Sequence, residues 1–200
     1  MRTFILQQLR PAVMLLILLT LLTGVAYPGI VTAIGQVALP SQANGSFITV
    51  NGAQVGSSLI GQAFSDPKYF SGRPSAAGVT TSNPAGYDGT SSGGSNLGPT
   101  SKALIDRISA SVDQLRQANG NAPIPVELVT TSASGLDPDI SPAAAEYQVG
   151  RVATARGLTP DAVRAVVARH TTQPLFGFIG EPVVNVLELN LDLDGLLTTK

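Results

Sequence analysis

The sequence contains no cysteine and no tryptophan, and only one histidine, His170. Without cysteine there is no disulfide framework, thiolate nucleophile or cysteine-built zinc site. The absence is compatible with any compartment. Charge is also sparse: 12% of the 200 residues are Asp, Glu, Lys or Arg, and the formal net charge is -1. Nothing would neutralise a run of phosphates, which excludes nucleic acid as a partner. The charge is unevenly placed, because no Lys, Arg, Asp or Glu occurs between Pro11 and Ser65.

An apolar run fills the front of that gap. Ala12 to Leu22 is almost wholly apolar, and the character continues through Val25, Ile30, Val31 and Ile34. A bilayer core of about 30 Å needs roughly 20 helical residues, which Ala12 to Ala33 supplies. Pro11 suits a first helical turn, Pro28 and Gly29 predict a kink near the far end, and Thr20 and Thr23 can bond back to backbone carbonyls. Arg2 and Arg10 precede the run and no basic residue follows until Lys68. The positive-inside rule then puts the N-terminus in the cytoplasm and the bulk of the chain outside. Small residues at Gly24-Val25-Ala26 and Val31-Thr32-Ala33 also fit a signal-peptidase site, so a cleaved leader is the rival reading. The length of the run favours a retained anchor. With no charge inside it, the anchor carries no ion path of its own.

The expected organisation is an anchor over residues 1–34, a linker over 35–45 and one extracytoplasmic domain over 46–200. About 165 residues beyond the anchor suffice for one core. Phe47–Val50 before Asn51-Gly52 predicts a strand and a tight turn, and residues 55–64 read as a second strand or an irregular apolar segment. Residues 78–99 form a long polar stretch, either mobile or packed on a partner. Leu104, Ile108, Val112 and Leu115 recur at helical spacing up to Asn119-Gly120. Ile124 to Val129 reads as a short buried strand. Ser141-Pro142 and Thr159-Pro160 are helix starts, with ends at Arg156-Gly157 and near Arg169. Asn185 to Leu193 alternates leucine with polar residues and predicts a half-buried strand beside the Ile124 strand. The fold class is α+β, a single N-terminal transmembrane helix followed by one mixed α/β domain.

Chemistry-bearing residues are few. His170 falls at a helix end, where an imidazole caps free carbonyls. Ser132 and Ser134 match neither a nucleophile elbow nor a Ser-x-x-Lys motif, and read as a turn. The Ser91–Gly98 run lacks the Lys-Ser/Thr pair of a phosphate-binding P-loop. Asp137 with Asp139, and Asp192 with Asp194, are too few for a Ca²⁺ cage and read as solvated turn charges. No catalytic and no metal residue is assigned. Asn44-Gly45-Ser46 matches a glycosylation acceptor.

Several separated segments together resemble one family, the C subunit of the bacterial high-affinity potassium-transporting P-type ATPase (the Kdp complex). They are Arg10-Pro11, Gly61-Gln62 with Phe64 and Phe70, Arg73-Pro74-Ser75, and Ser92 to Pro99. Further along they are Pro125 to Thr130, Ser132 to Pro138, Gln148 with Arg151 and Arg156, Val184 to Leu187, and Leu189-Asn190. The resemblance spans nearly the whole chain. It implies an accessory subunit, not itself an enzyme, in the bacterial inner membrane. Its partners would be a channel-like potassium-binding subunit, a P-type ATPase subunit and a small fourth membrane subunit, and potassium would be the transported ion. It also implies a catalytic-chaperone role that raises ATP affinity, with a glutamine implicated; Gln148 is the candidate nucleotide-related residue. No cofactor is intrinsic, and ATP enters only through the resemblance. A domain held outside cannot touch cytoplasmic ATP, so assembly of the channel-like subunit is the favoured role. Removing Arg2 and Arg10 from the 12 basic residues leaves 10 against 13 acidic ones, enough for only a weak attraction of cations near the ion entrance. An independent extracytoplasmic binding module or hydrolase remains the alternative.

Overall fold

The computed structural model describes residues 2–196, with side chains from Gln7 onward. The last four residues of the expected domain, 197–200, lie outside the described residues. The chain divides into two compact units, Met1–Phe47 and Ile48–Lys200, each taken by itself below.

The first unit is helical. Helix α1 spans Arg2–Leu21, a π-helical turn covers Leu22–Ala26, and α2 spans Tyr27–Ala38. Pro11 lies inside α1 rather than in its first turn. The kink expected at Pro28 takes the form of that wide turn one step upstream, where the Tyr27 N–H reaches back to the Leu22 carbonyl. A proline ring crowds the carbonyl four residues before it, here Gly24, and a widened turn relieves the clash. Thr23 Oγ1 donates to the Leu19 carbonyl at 2.7 Å. Among the described residues one helix, Gln7–Ala38, is long and apolar enough to cross a membrane, and it is not buried. Its 32 residues rise about 48 Å at 1.5 Å per residue, more than a 30 Å hydrocarbon core requires. Residues 35–45, expected as a linker, complete α2 and add a short helix, α3, at Pro40–Ala43.

The second unit is mixed α and β, in agreement with the expected fold class. Strands β1 (Phe47–Val50) and β2 (Ala53–Ser57) form a hairpin. Asn51 and Gly52 both take positive φ, 51° and 82°, as a tight turn between twisted strands requires. Helix α4 (Lys102–Asn119) ends at Gly120. Strand β3 (Asp139–Ile140) leads into α5 (Pro142–Arg156), then α6 (Pro160–Arg169) and β4 (Thr171–Thr172). Strand β5 (Val183–Asn185) runs straight into α7 (Val186–Leu193). The second sheet has the order β3-β5-β4 and is antiparallel throughout, with Ile140 and Thr171 both opposite Val184. The core gathers Phe70, Ile140, Val149, Val163, Val184 and Leu189.

Two expected strands are corrected. Residues 124–129 hold a 3-10 turn at Val126–Leu128; Pro123 and Pro125 lack the N–H donors that a central strand needs. Asn185 to Leu193 is not a strand beyond Asn185. The Asn185 side chain accepts from the Glu188 N–H at 3.1 Å and starts a helix. The sheet neighbours of β5 are therefore β3 and β4, not the Ile124 segment.

Candidate functional site

Helix α5 is fixed at both ends. The Ser141 hydroxyl accepts from the Ala144 N–H at 3.2 Å, Pro142 needs no donor in the first turn, and Gly157 closes the helix at φ 65°. These ends set the phase in which Gln148, Arg151 and Arg156 meet the irregular segment through Phe70.

That segment has no strand partner, and side chains take the partner's place. The Asn190 amide, from α7, accepts from the Phe70 N–H at 2.8 Å and donates to the Phe70 carbonyl at 2.9 Å. The Gln148 amide repeats the pattern on the next residue, accepting from the Ser71 N–H at 2.9 Å and donating to the Ser71 carbonyl at 3.1 Å. Arg151 Nη1 donates to the carbonyls of Pro67 (2.6 Å) and Tyr69 (3.0 Å). Arg156 Nε donates to that of Lys68 at 2.7 Å. Every carbonyl from Pro67 to Ser71 is thus held by a side chain of α5 or α7. Phe70 itself is fully buried. Burying irregular backbone is costly unless its polar groups are bonded, and this clamp is how a proline-flanked loop enters the core.

Gln148, singled out from the sequence, is 1% exposed. Its carboxamide nitrogen also donates to the Ala144 carbonyl at 3.2 Å, and its oxygen accepts from Arg151 Nη2 at 2.8 Å. Two donors and two acceptor sites are all that a carboxamide has, so the group is saturated within the protein. Arg151 also reaches Asn119 Oδ1 at 3.0 Å, tying α4 to α5. Burial pushes its guanidinium below the ordinary arginine value. It is compensated by carbonyl and amide oxygens, and it pairs with no carboxylate among the described residues. A cleft of about 440 Å³ opens between α4 and α5, lined among others by Phe64, Ser71, Pro74, Leu115, Gln148 and Arg151.

Arg73, just past the clamp, bridges Asp137 at 3.0 Å and donates to the Thr131 carbonyl. The Tyr87 hydroxyl donates to the Arg73 carbonyl. Burial pushes that phenol up to about 12, so it stays protonated and donating. The polar stretch packs on its own chain: the Gly93 N–H donates to the Ser134 carbonyl at 2.8 Å, and the Ser92 hydroxyl to the same carbonyl at 3.1 Å. Gly135 has φ 68°, and a Cβ there would lie 2.6 Å from the Gly93 carbonyl oxygen. Ser132 Oγ accepts from the Gly135 N–H at 2.9 Å, a turn contact as its sequence suggests.

The aspartates are not the solvated turn charges that the sequence suggests. Asp194 takes Arg156 Nη2 and the Tyr69 hydroxyl, each at 2.8 Å. Asp192 takes both Arg169 and His170 at 2.8 Å. Burial alone would raise the Asp192 pKa, but the hydrogen bonds from Arg169 and His170 outweigh it and hold the carboxyl below its usual range. His170 closes α6 through its backbone N–H; its imidazole does not take the free carbonyls that the sequence suggests but meets Asp192 Oδ2 at 2.8 Å and locks α6 to α7. Asn190 belongs to a segment that carries the family resemblance, but its role as a backbone partner was not legible, because alternation assigned it to a solvent face.

A family model described as "K+-transporting ATPase, c chain" (KdpC) matches residues 9–195. The "Potassium-transporting ATPase KdpC subunit" of Sorangium cellulosum is 58% identical over 192 residues, covering 95% of this chain and 98% of the relative. The protein of that name from Rhodopseudomonas palustris is 55% identical over 195 residues, 94% and 98% of the two chains. That from Bradyrhizobium diazoefficiens is 54% identical over 195 residues, 94% and 97%.

Proposed function

Because this chain belongs to the KdpC family of K+-transporting ATPase c chains, we propose that it is a non-catalytic accessory subunit that assembles and stabilises an ATP-driven potassium-import complex. The observation that carries this reading is the Gln7–Ala38 helix, apolar and 0% buried. Such a surface needs lipid or a partner helix to cover it. The proposed partners are a channel-like potassium-binding subunit, a P-type ATPase subunit and a small fourth membrane subunit. The helix retains the chain in the bacterial inner membrane, and Arg2 and Arg10 before it favour a cytoplasmic N-terminus with the domain outside. A tagged full chain, extracted in mild detergent, is expected to bring down the ATPase subunit. Recovery as a lone, detergent-free monomer contradicts the proposal.

From outside, an effect on ATP affinity travels only as a coupling free energy between distant sites, typically about 1–3 kcal/mol. A direct nucleotide role for Gln148 is the second reading. It is favoured by Arg151, which lines the same cleft and has no carboxylate beside it. Against it, all four hydrogen-bond positions of the Gln148 amide are already filled. Equilibrium dialysis of the full chain against ATP separates the two: Arg151→Gln-sensitive binding supports direct contact, and no binding at millimolar ATP rejects it.

A further inference from the structure

Between β4 and β5 the chain makes a tight turn, Pro174-Leu175-Phe176-Gly177-Phe178-Ile179-Gly180, whose apolar side chains face outward. Leu175, Phe176, Phe178 and Ile179 are 61%, 78%, 77% and 52% exposed. The turn is rigidly built. Leu175 and Ile179 exchange both N–H to carbonyl bonds at 3.0 Å, and the Gly177 N–H donates to the Pro174 carbonyl at 2.9 Å. Cβ atoms built at Gly177 and Gly180 would meet nothing within 4 Å, so the tip stands in open space. Phe176 has φ 54°, a left-handed backbone that glycine or asparagine adopts far more cheaply than a bulky ring. Two phenylalanines thus stand outside the core, one on strained backbone, with no intramolecular return. Strain of this kind is retained where something else depends on the side chain.

We propose that this tip is a docking element that inserts Phe176 and Phe178 into an apolar pocket on a larger membrane subunit of the same complex, an inference that rests on the accessory-subunit reading. Pre-ordered aromatic anchors at the centre of a contact carry much of the binding energy, because little conformational freedom is lost on docking. The charge pattern selects a protein over a lipid surface. No charged residue lies between His170 and Glu181, and the nearest bases, Arg169 and His170, are engaged by Asp192. Elements that insert into a bilayer surface pair their apolar residues with flanking Lys or Arg. This turn has apolar residues but no flanking base left unpaired, and Glu181 beside it is repelled by anionic headgroups. A second copy of this chain is disfavoured, since a two-fold contact through the tip would bring Glu181 toward its own copy. The pocket that fits is apolar with an uncharged or basic rim.

The test uses the full chain expressed with its partners. A Phe176→Asn, Phe178→Ser variant relieves the strained backbone and removes no buried contact. Its melting temperature is expected within about 2 °C of wild type, while retention of partner subunits through detergent washing falls by about tenfold or more. Val126→Ser, at a position 72% exposed elsewhere on the domain, controls for loss of any surface apolar group and is expected to retain them. A photoreactive phenylalanine analogue at position 178 is expected to cross-link to a protein subunit. Wild-type retention by the double variant, a lowered melting temperature, or cross-links only to lipid or to a second copy would overturn the docking tip. A wild-type chain that retains no partner would overturn the accessory reading and the tip together.

Discussion

At the scale of single residues, the clamp on residues 67–71 concentrates polar burial in a few side chains. Removing the Gln148 amide leaves the Ser71 N–H and carbonyl without partners in a site only 1% exposed at Gln148. Each stranded group costs about 1–3 kcal/mol. Gln148→Ala is therefore expected to lower the unfolding free energy by about 3 kcal/mol in urea titration, and Asn190→Ala by a similar amount. Lys102→Ala, which breaks an exposed pair with Asp106, is expected to change it by less than about 1 kcal/mol. Asp192 adds a pH signature. Its folded pKa is depressed, so its contribution is present above the ordinary carboxylate value of the unfolded chain and is lost as pH falls through the lower folded value. In Asp192→Asn the acid limb of a stability-against-pH curve is expected to be shallower, while the curve near neutrality is lower and flat.

At the scale of elements, the ends of helices decide what the sequence makes plain. Ser141-Pro142, Thr159-Pro160 and Gly157 fix α5 and α6 by local chemistry, so their bounds are legible. Gly157→Ala is expected to cost about 1 kcal/mol, because alanine resists φ 65°. Residues 186–193 mislead for a physical reason. Leu187, Leu189 and Leu191 alternate, yet all are buried in a helix together with Val186 and Asn190. A helix enclosed on most sides needs no 3.6-residue stripe, so periodicity stops being diagnostic. The capping residue Asn185, with Glu188 three positions on, was the stronger signal. Asn185 Nδ2 also donates to the Ser58 carbonyl and to Asp139. Asn185→Ala therefore loses more than a cap and is expected to destabilise by more than about 1 kcal/mol. Strands β3 and β4, of two residues each, are too short for any pattern. Gln148 stood out as a family residue, but its role as a backbone partner depends on a loop about 77 positions away, which no local spacing encodes.

At the scale of the whole molecule, two exposed apolar surfaces bear on the proposed role. One is the Gln7–Ala38 helix; the other is the aromatic tip on the domain. The polar groups between Pro67 and Ser71 are by contrast consumed internally. The proposed accessory role draws on both exposed surfaces. Exchanging residues 7–38 for an unrelated apolar helix separates the contributions: if the tip carries recognition, the chimera still cross-links through position 178. Purification of the potassium-transporting ATPase from cells lacking this chain decides whether the chain assembles the complex. The remaining subunits are expected to fail to co-purify as an active complex, and potassium-stimulated ATP hydrolysis is expected to return when the full chain is restored. An intact complex with full potassium-stimulated hydrolysis in its absence would rule out assembly by this chain.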